Sequence, residues 1–261
     1  MFKWTLRDVD ENENDDAATT RIESDRPDFT ETSTPVGLGR IQLESGYTYT
    51  TNRASGIRLH QSTFPEALLR VGLFAEWFEL RIGWNYNNDR STSPEPFSTR
   101  VTGSSDLYLG FKLALTEQAS FLPEMAINVQ TTAPTGAKAF TADRWLPGIN
   151  WLYGWNVTDV WTFGGSTSFN AAKDNDKKVY TEIGQSFTAG YSITEKLSCY
   201  FEVYGIMPSG GEAPDLKPQY SFDSGFVYRW SNDFQTDIRA GIGLNQAADD
   251  FFTGVGFVYR Y

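Results

Sequence analysis

From Gly39 to Tyr261 apolar and polar residues alternate with period two in stretch after stretch, the pattern of strands with two unlike faces. Between residues 78 and 87, Phe78, Leu80, Ile82, Trp84 and Tyr86 share one face, and Glu79, Arg81, Gly83, Asn85 and Asn87 share the other. Leu107, Leu109, Phe111, Leu113 and Leu115 repeat the pattern, and so do Val255, Phe257, Tyr259 and Tyr261 at the end of the chain. Marking every such stretch predicts about twelve strands, near 40–52, 57–74, 78–88, 103–115, 121–134, 145–157, 160–171, 178–191, 197–207, 218–230, 234–245 and 251–261. In this reading no Asp, Glu, Lys or Arg falls on the apolar phase. The opposite phase carries Glu44, Arg58, His60, Glu66, Arg70, Glu79, Arg81, Asp106, Lys112, Glu124, Glu182, Glu202, Asp223, Arg229, Asp237, Arg239 and Arg260.

The connections alternate too. Short turns at 75–77, 116–120, 158–159, 192–196 and 231–233 each hold an acidic residue, and mostly longer, Gly- and Pro-bearing connections at 89–102, 135–144, 172–177 and 208–217 separate them. The two-strand unit recurs roughly every forty residues, a weak internal repeat.

Period-two patterning alone also fits a soluble β-sandwich, the fold of many binding proteins. Rings decide against it: Tyr47, Tyr49, Trp84, Tyr86, Trp151, Trp155, Trp161, Tyr191, Tyr220, Trp230, Tyr259 and Tyr261 fall on the apolar phase, many near strand ends. A dry core would have to hide their hydroxyl and indole groups, whereas a membrane interface welcomes them. Hydrocarbon leaves no partner for an open strand edge, so a spanning sheet must close on itself. A cation at mid-bilayer on the lipid face costs about 2–4 kcal/mol, which accounts for the uncharged phase. The pattern therefore predicts an all-β chain: a transmembrane antiparallel up-and-down barrel of about twelve strands, with short periplasmic turns, longer extracellular loops and both termini in the periplasm.

Composition is compatible with this and narrows it. Mean hydropathy is −0.41 and no window is apolar enough for a spanning helix, yet a barrel shows lipid only every second residue. A net charge of −11 speaks against nucleic acid as a partner. The single Cys199 cannot form an internal disulfide, and there is no Walker loop, Rossmann fingerprint or zinc-type Cys/His cluster, so no cofactor or metal is implied. The acidic pairs at Asp174/Asp176 and Asp249/Asp250 read as solvated outer loops, with divalent cations bridging lipopolysaccharide as the alternative.

Residues 1–35 form an acidic arm without apolar periodicity, ahead of a barrel over 36–261. The first residues lack an apolar core and a small-residue cleavage site, so they do not read as an export signal. Within the arm, Arg26, Pro27, Asp28, Phe29 and Thr30 combine a stiff Pro with charges and a ring; residues 21–35 are expected to fold into the barrel as a plug, the alternative being a floppy tail. The inward ladder is expected to line the lumen as cross-strand pairs: Arg58, Arg70, Arg81, Lys112, Arg229 and Arg239 with Glu44, Glu66, Glu79, Asp106, Glu124, Glu202, Asp223 and Asp237. His60 and Ser62 raise a lipid-hydrolase alternative, but strand phase places His60 inside with Arg58 and Arg70; a bulge at Pro65 would invert that phase.

Several segments in order, SDRPDFTETS at 24–33, IQLESGYTYT at 41–50, FPEALLRVGLFAEWFELRIGWNY at 64–86, SDLYLGFK at 105–112, FEVYGIMPSGG at 201–211 and GIGLNQAADDFFTGVGFVYRY at 241–261, resemble the outer-membrane transporter family of the MetA-pathway of phenol degradation. The resemblance implies a barrel of the bacterial outer membrane, in contact with its lipids and lipopolysaccharide. It implies passive uptake of small, often aromatic solutes and no enzymatic activity. The alternatives are a closed structural barrel and an enzyme acting on membrane lipid.

Overall fold

A computed structural model describes residues 21–54, 56–93, 98–174, 177–210 and 216–261; the start of the acidic arm and the Asn175–Asp176 pair lie outside them. Among the described residues thirteen strands follow in order: β1 (Ile41–Ala54), β2 (Ile57–Gly72), β3 (Phe78–Thr92), β4 (Ser98–Ser104), β5 (Leu107–Thr116), β6 (Glu124–Ala133), β7 (Leu146–Asn156), β8 (Trp161–Lys173), β9 (Val179–Ser192), β10 (Leu197–Ser209), β11 (Gln219–Arg229), β12 (Phe234–Gly243) and β13 (Phe251–Arg260). Each is antiparallel to its neighbours, and β1 pairs with both β2 and β13, so the sheet closes on itself. β4 and β5 pair with successive halves of β3 and are one wall strand interrupted at Ser105–Asp106. The barrel is thus twelve strands around, as the alternation predicts, and the fourth strand begins five residues earlier than the pattern marks it.

Its burial is inverted relative to a soluble protein. Arg70, Glu79, Lys112, Asn128 and Asp223 are fully buried, whereas Phe111, Trp151, Phe187, Phe201, Phe226 and Val255 are exposed on the outside. Phe78 belongs to the outer set, stacked on Phe111 with ring centroids 6.0 Å apart, while Glu79 and Arg81 beside it point into the interior.

One strand departs from strict alternation. Between Phe64 and Ala67 the pairing of β2 with β3 slips by one residue, and its pairing with β1 slips over the same stretch. The extra residue sits at Pro65–Glu66, where Glu66 adopts φ 45°. Beyond this bulge every side chain of β2 changes face. Arg58, His60 and Ser62 therefore stand outside, and Leu59, Gln61 and Thr63 turn inward.

Candidate functional site

Residues 22–36 run inside the barrel and make no ladder of their own; their backbone and side-chain groups are taken up by inward side chains from strands on all sides. The segment starts at the short-turn end, where the Ile22 N–H donates to the Asn232 carbonyl at 2.9 Å. It runs inward, turns at Arg26–Phe29 and returns, and the Val36 N–H donates to Glu79 at 2.9 Å just before β1.

Arg26 makes the deepest anchor. Its Nε and Nη2 donate to the two Asp237 carboxylate oxygens at 3.2 Å, and its Nη1 donates to Glu66 at 3.0 Å. The guanidinium lies over Gly46 and Gly256, which face each other across β1 and β13; a Cβ at either position would overlap it. The glycines matter here because the backbone must be approached closely. Asp25 forms the second anchor: Arg81 Nη2 lies at 2.6 Å and Lys112 Nζ at 3.2 Å, and the Thr32 N–H closes the turn on it at 2.9 Å. On the far wall, Glu202 accepts the Phe29 and Thr30 N–H groups at 2.6 and 2.8 Å, and the Phe29 ring stacks on Tyr204 at 4.4 Å. Ser33 and Thr34 hydroxyls donate to Glu124 at 2.8 and 2.7 Å. Arg70 ties the near wall together, donating to Glu79, to Glu44 and to the Thr34 carbonyl.

Removing one partner from such a network strands a buried charge, which costs far more than the pair gains over an apolar filling. Electrostatics are least balanced at the tip. Burial pushes the Asp28 carboxyl up to about 8; its own backbone amide and Arg239 oppose the rise, and the neighbouring Asp223 and Asp25 carboxylates add to it.

Beside the tip lies a cavity of about 340 Å³, bordered by Arg26, Asp28, Glu66, Arg81, Tyr108 and Arg239. A second space of about 380 Å³ lies under the β6–β7 connection, between Phe140, Tyr108, Gln130 and Lys173. Asp106 holds that connection across the mouth by accepting the Gly136 and Ala142 N–H groups at 2.9 and 2.8 Å.

Thus Glu44, Glu66, Arg70, Glu79, Arg81, Lys112, Glu124, Glu202, Asp237 and Arg239 surround the inserted segment. Asp223 accepts the Tyr200 hydroxyl beside it at 3.0 Å, and Arg229 sits at the short-turn end, donating to the Glu195 carbonyl at 3.1 Å. The expected arrangement of cross-strand pairs needs revision: Arg70–Glu79 and Arg70–Glu44 bridge neighbouring strands, but Arg81–Glu79 lies within β3, and Lys112 and Arg239 meet the segment instead. Arg58 and His60 are corrections, because the β2 bulge carries both to the outer face. There the His60 Nδ1 and the Tyr49 hydroxyl share a hydrogen bond of 2.5 Å, and the Ser62 hydroxyl pairs with that of Tyr47 at 3.1 Å. No hydrogen bond joins Ser62 to His60 among the described residues. Asp174 accepts the Lys178 N–H and Asp249 the Asn52 amide, and no cluster of three potential metal ligands occurs among the described residues. Gly46, Gly256 and Asp25 seat the segment and are not singled out by charge patterning; glycine on the inward phase of both closing strands is the available signal.

A family model described as "Putative MetA-pathway of phenol degradation" matches residues 24–261. No curated protein matches. Among solved structures, the COG4313 outer membrane channel from Pseudomonas putida F1 aligns at 15% identity over 88% of this chain and 98% of that one, with a TM-score of 0.68. The translocator domain of the autotransporter NalP from Neisseria meningitidis aligns at 13% identity over 86% and 88%, TM-score 0.54, and the NanC porin at 10% over 84% and 98%, TM-score 0.50. The shared fold is that of bacterial outer-membrane barrels.

Proposed function

We propose, from the premise that the chain belongs to the MetA-pathway of phenol degradation family, that it is a passive channel of the bacterial outer membrane for small solutes, constricted by residues 22–36. The short turns face the periplasm and the longer connections the outside, so the inserted segment enters from the periplasmic side. The observation that carries this reading is the anchoring of Asp25 and Arg26 to β2, β3, β5 and β12 at once, which holds a polar segment across the bore. The remaining path runs past the 340 Å³ cavity beside the tip, at the small end of the roughly 300–1,000 Å³ that ligand pockets span. Its border mixes Arg26, Arg81 and Arg239 with Asp28 and Glu66, so selection acts through radius and charge, as in other pores. Small phenolic compounds, which the family description names, are the solute class to try first.

The test is planar-bilayer conductance and liposome swelling with phenolic, fatty and sugar-like solutes, comparing the full chain with one lacking residues 22–36. A rise in conductance on deletion supports the constriction. An unchanged conductance refutes it, and a barrel sealed to every solute in both forms refutes the channel and favours a closed structural barrel.

A further inference from the structure

We propose that the outer face at the loop end of β1–β4 binds the phosphate groups of lipopolysaccharide lipid A. Four arginines sit there as two directly opposed pairs: Arg53 faces Arg58 across β1 and β2, and Arg90 faces Arg100 across β3 and β4. His60 stands opposite Arg90, so one row across β2, β3 and β4 reads His60, Arg90, Arg100. Like charges directly opposite one another destabilise a sheet, so a stable rim of this kind calls for a counter-charge. Among the described residues no carboxylate forms an ion pair with any of the four arginines. Asp89, which lies next to Arg90 in sequence, points the other way and takes the Gln61 amide at 3.1 Å. The arginines are exposed, and the protein contacts they make spend little of their capacity: the Arg90 Nε donates to Ser98 at 3.2 Å and the Arg100 Nε to Asn88 at 2.7 Å. The remaining guanidinium N–H groups keep the fork geometry that matches phosphate.

The β2 bulge completes this patch, because on an unbroken ladder of the same sequence Arg58 and His60 would share the inward face of Arg70. Position on the wall selects a lipid over a dissolved anion. Phe64, Trp84, Tyr86 and Tyr47 stand exposed directly below on the same face, an apolar platform for acyl chains. Arg53 and Arg90 lie four residues beyond Tyr49 and Tyr86, roughly 13 Å further along the strand, which is the level of headgroups. A cation at that depth meets headgroups and water, so it costs little before it finds a partner. On a chain of net charge −11, a cationic rim with no ion-paired acid among the described residues is the feature that a doubly phosphorylated headgroup would recognise.

Native mass spectrometry in detergent micelles tests this without reference to orientation in the membrane or to conductance, so its failure is separate from failure of the channel reading. The full chain is titrated with diphosphoryl lipid A, with the same lipid after phosphate removal, and with inorganic phosphate. The expected result is retention of diphosphoryl lipid A, weakened by more than about tenfold on phosphate removal and in the R53Q/R58Q/R90Q/R100Q variant. Arg144→Gln on the β6–β7 connection serves as control and binds as the parent does. The heat-modified gel shift of the folded barrel is expected to persist in the quadruple variant; if that variant does not fold, the two double variants R53Q/R58Q and R90Q/R100Q are compared instead. Equal retention of the dephosphorylated lipid, equal binding by the arginine variants, or inorganic phosphate competing at equal concentration overturns the proposal.

Discussion

Arginine occupies two contrasting places in this barrel. Inside, Arg26, Arg70 and Arg81 are buried and each reaches at least two carboxylates. At the outer rim, Arg53, Arg58, Arg90 and Arg100 are exposed and face one another, with no carboxylate paired to them among the described residues. The difference is dielectric. A guanidinium removed from water must find opposite charge within the protein, whereas one at a wet interface can leave its counter-charge to the surroundings. Interior arginines are therefore part of the protein's stability, and rim arginines are open to ligands.

The contrast is broken most severely at Arg70, because Arg70→Ala leaves Glu44 buried without a cation and Glu79 with Arg81 alone. Loss of about 3–5 kcal/mol is expected, read as a lower urea midpoint for unfolding from detergent. Next comes the glycine seat: Gly256→Val is expected to displace Arg26 and raise single-channel conductance, and adding Arg26→Ala on top should change little further. Smaller again is the response to pH. The folded-state value of Asp28 is about 8 against an ordinary 3.8, so the docked tip holds a proton that a released tip would lose. Docking is therefore strongest below 3.8, weakens as pH rises through the window between the two values, and has lost this contribution above about 8. Conductance is expected to climb across that window in the parent and to climb less there in Asp28→Asn. The smallest effect is at the rim: without anionic lipid, Arg100→Gln is expected to raise stability by about 0.2–1 kcal/mol, since it relieves one like-charge pair.

The wall was legible in the sequence because two constraints act on every strand, a period of two and a ban on charge at mid-bilayer. Phe78 to Asn87 shows both without interruption. The rim was less legible. Beyond the hydrocarbon the ban relaxes, so Arg53, Arg90 and Arg100 fall past the ends of the strands that alternation marked, and strands β1, β3 and β4 extend further than expected. Arg58 and His60 were assigned to the wrong face because parity was carried across Pro65, although proline in a strand is a warning of a bulge. The interior charges were legible as inward but their partners were not. Parity gives the direction of Lys112 or Arg239, yet the groups that meet them belong to an irregular segment with no period to read. Asp25 looked like one acid among many in an acidic arm.

The slip at Pro65–Glu66 uncouples residue numbering from sidedness. Deleting a single residue there would remove the slip and leave Phe64 opposite Tyr86, so the eight positions from Ile57 to Phe64 would keep their faces, with Arg58, His60 and Ser62 outward and Leu59 toward the bore. A regular strand one residue shorter would thus carry the same cationic exterior, and relatives that differ by one residue at this bend should be compared by facing direction before they are compared by identity.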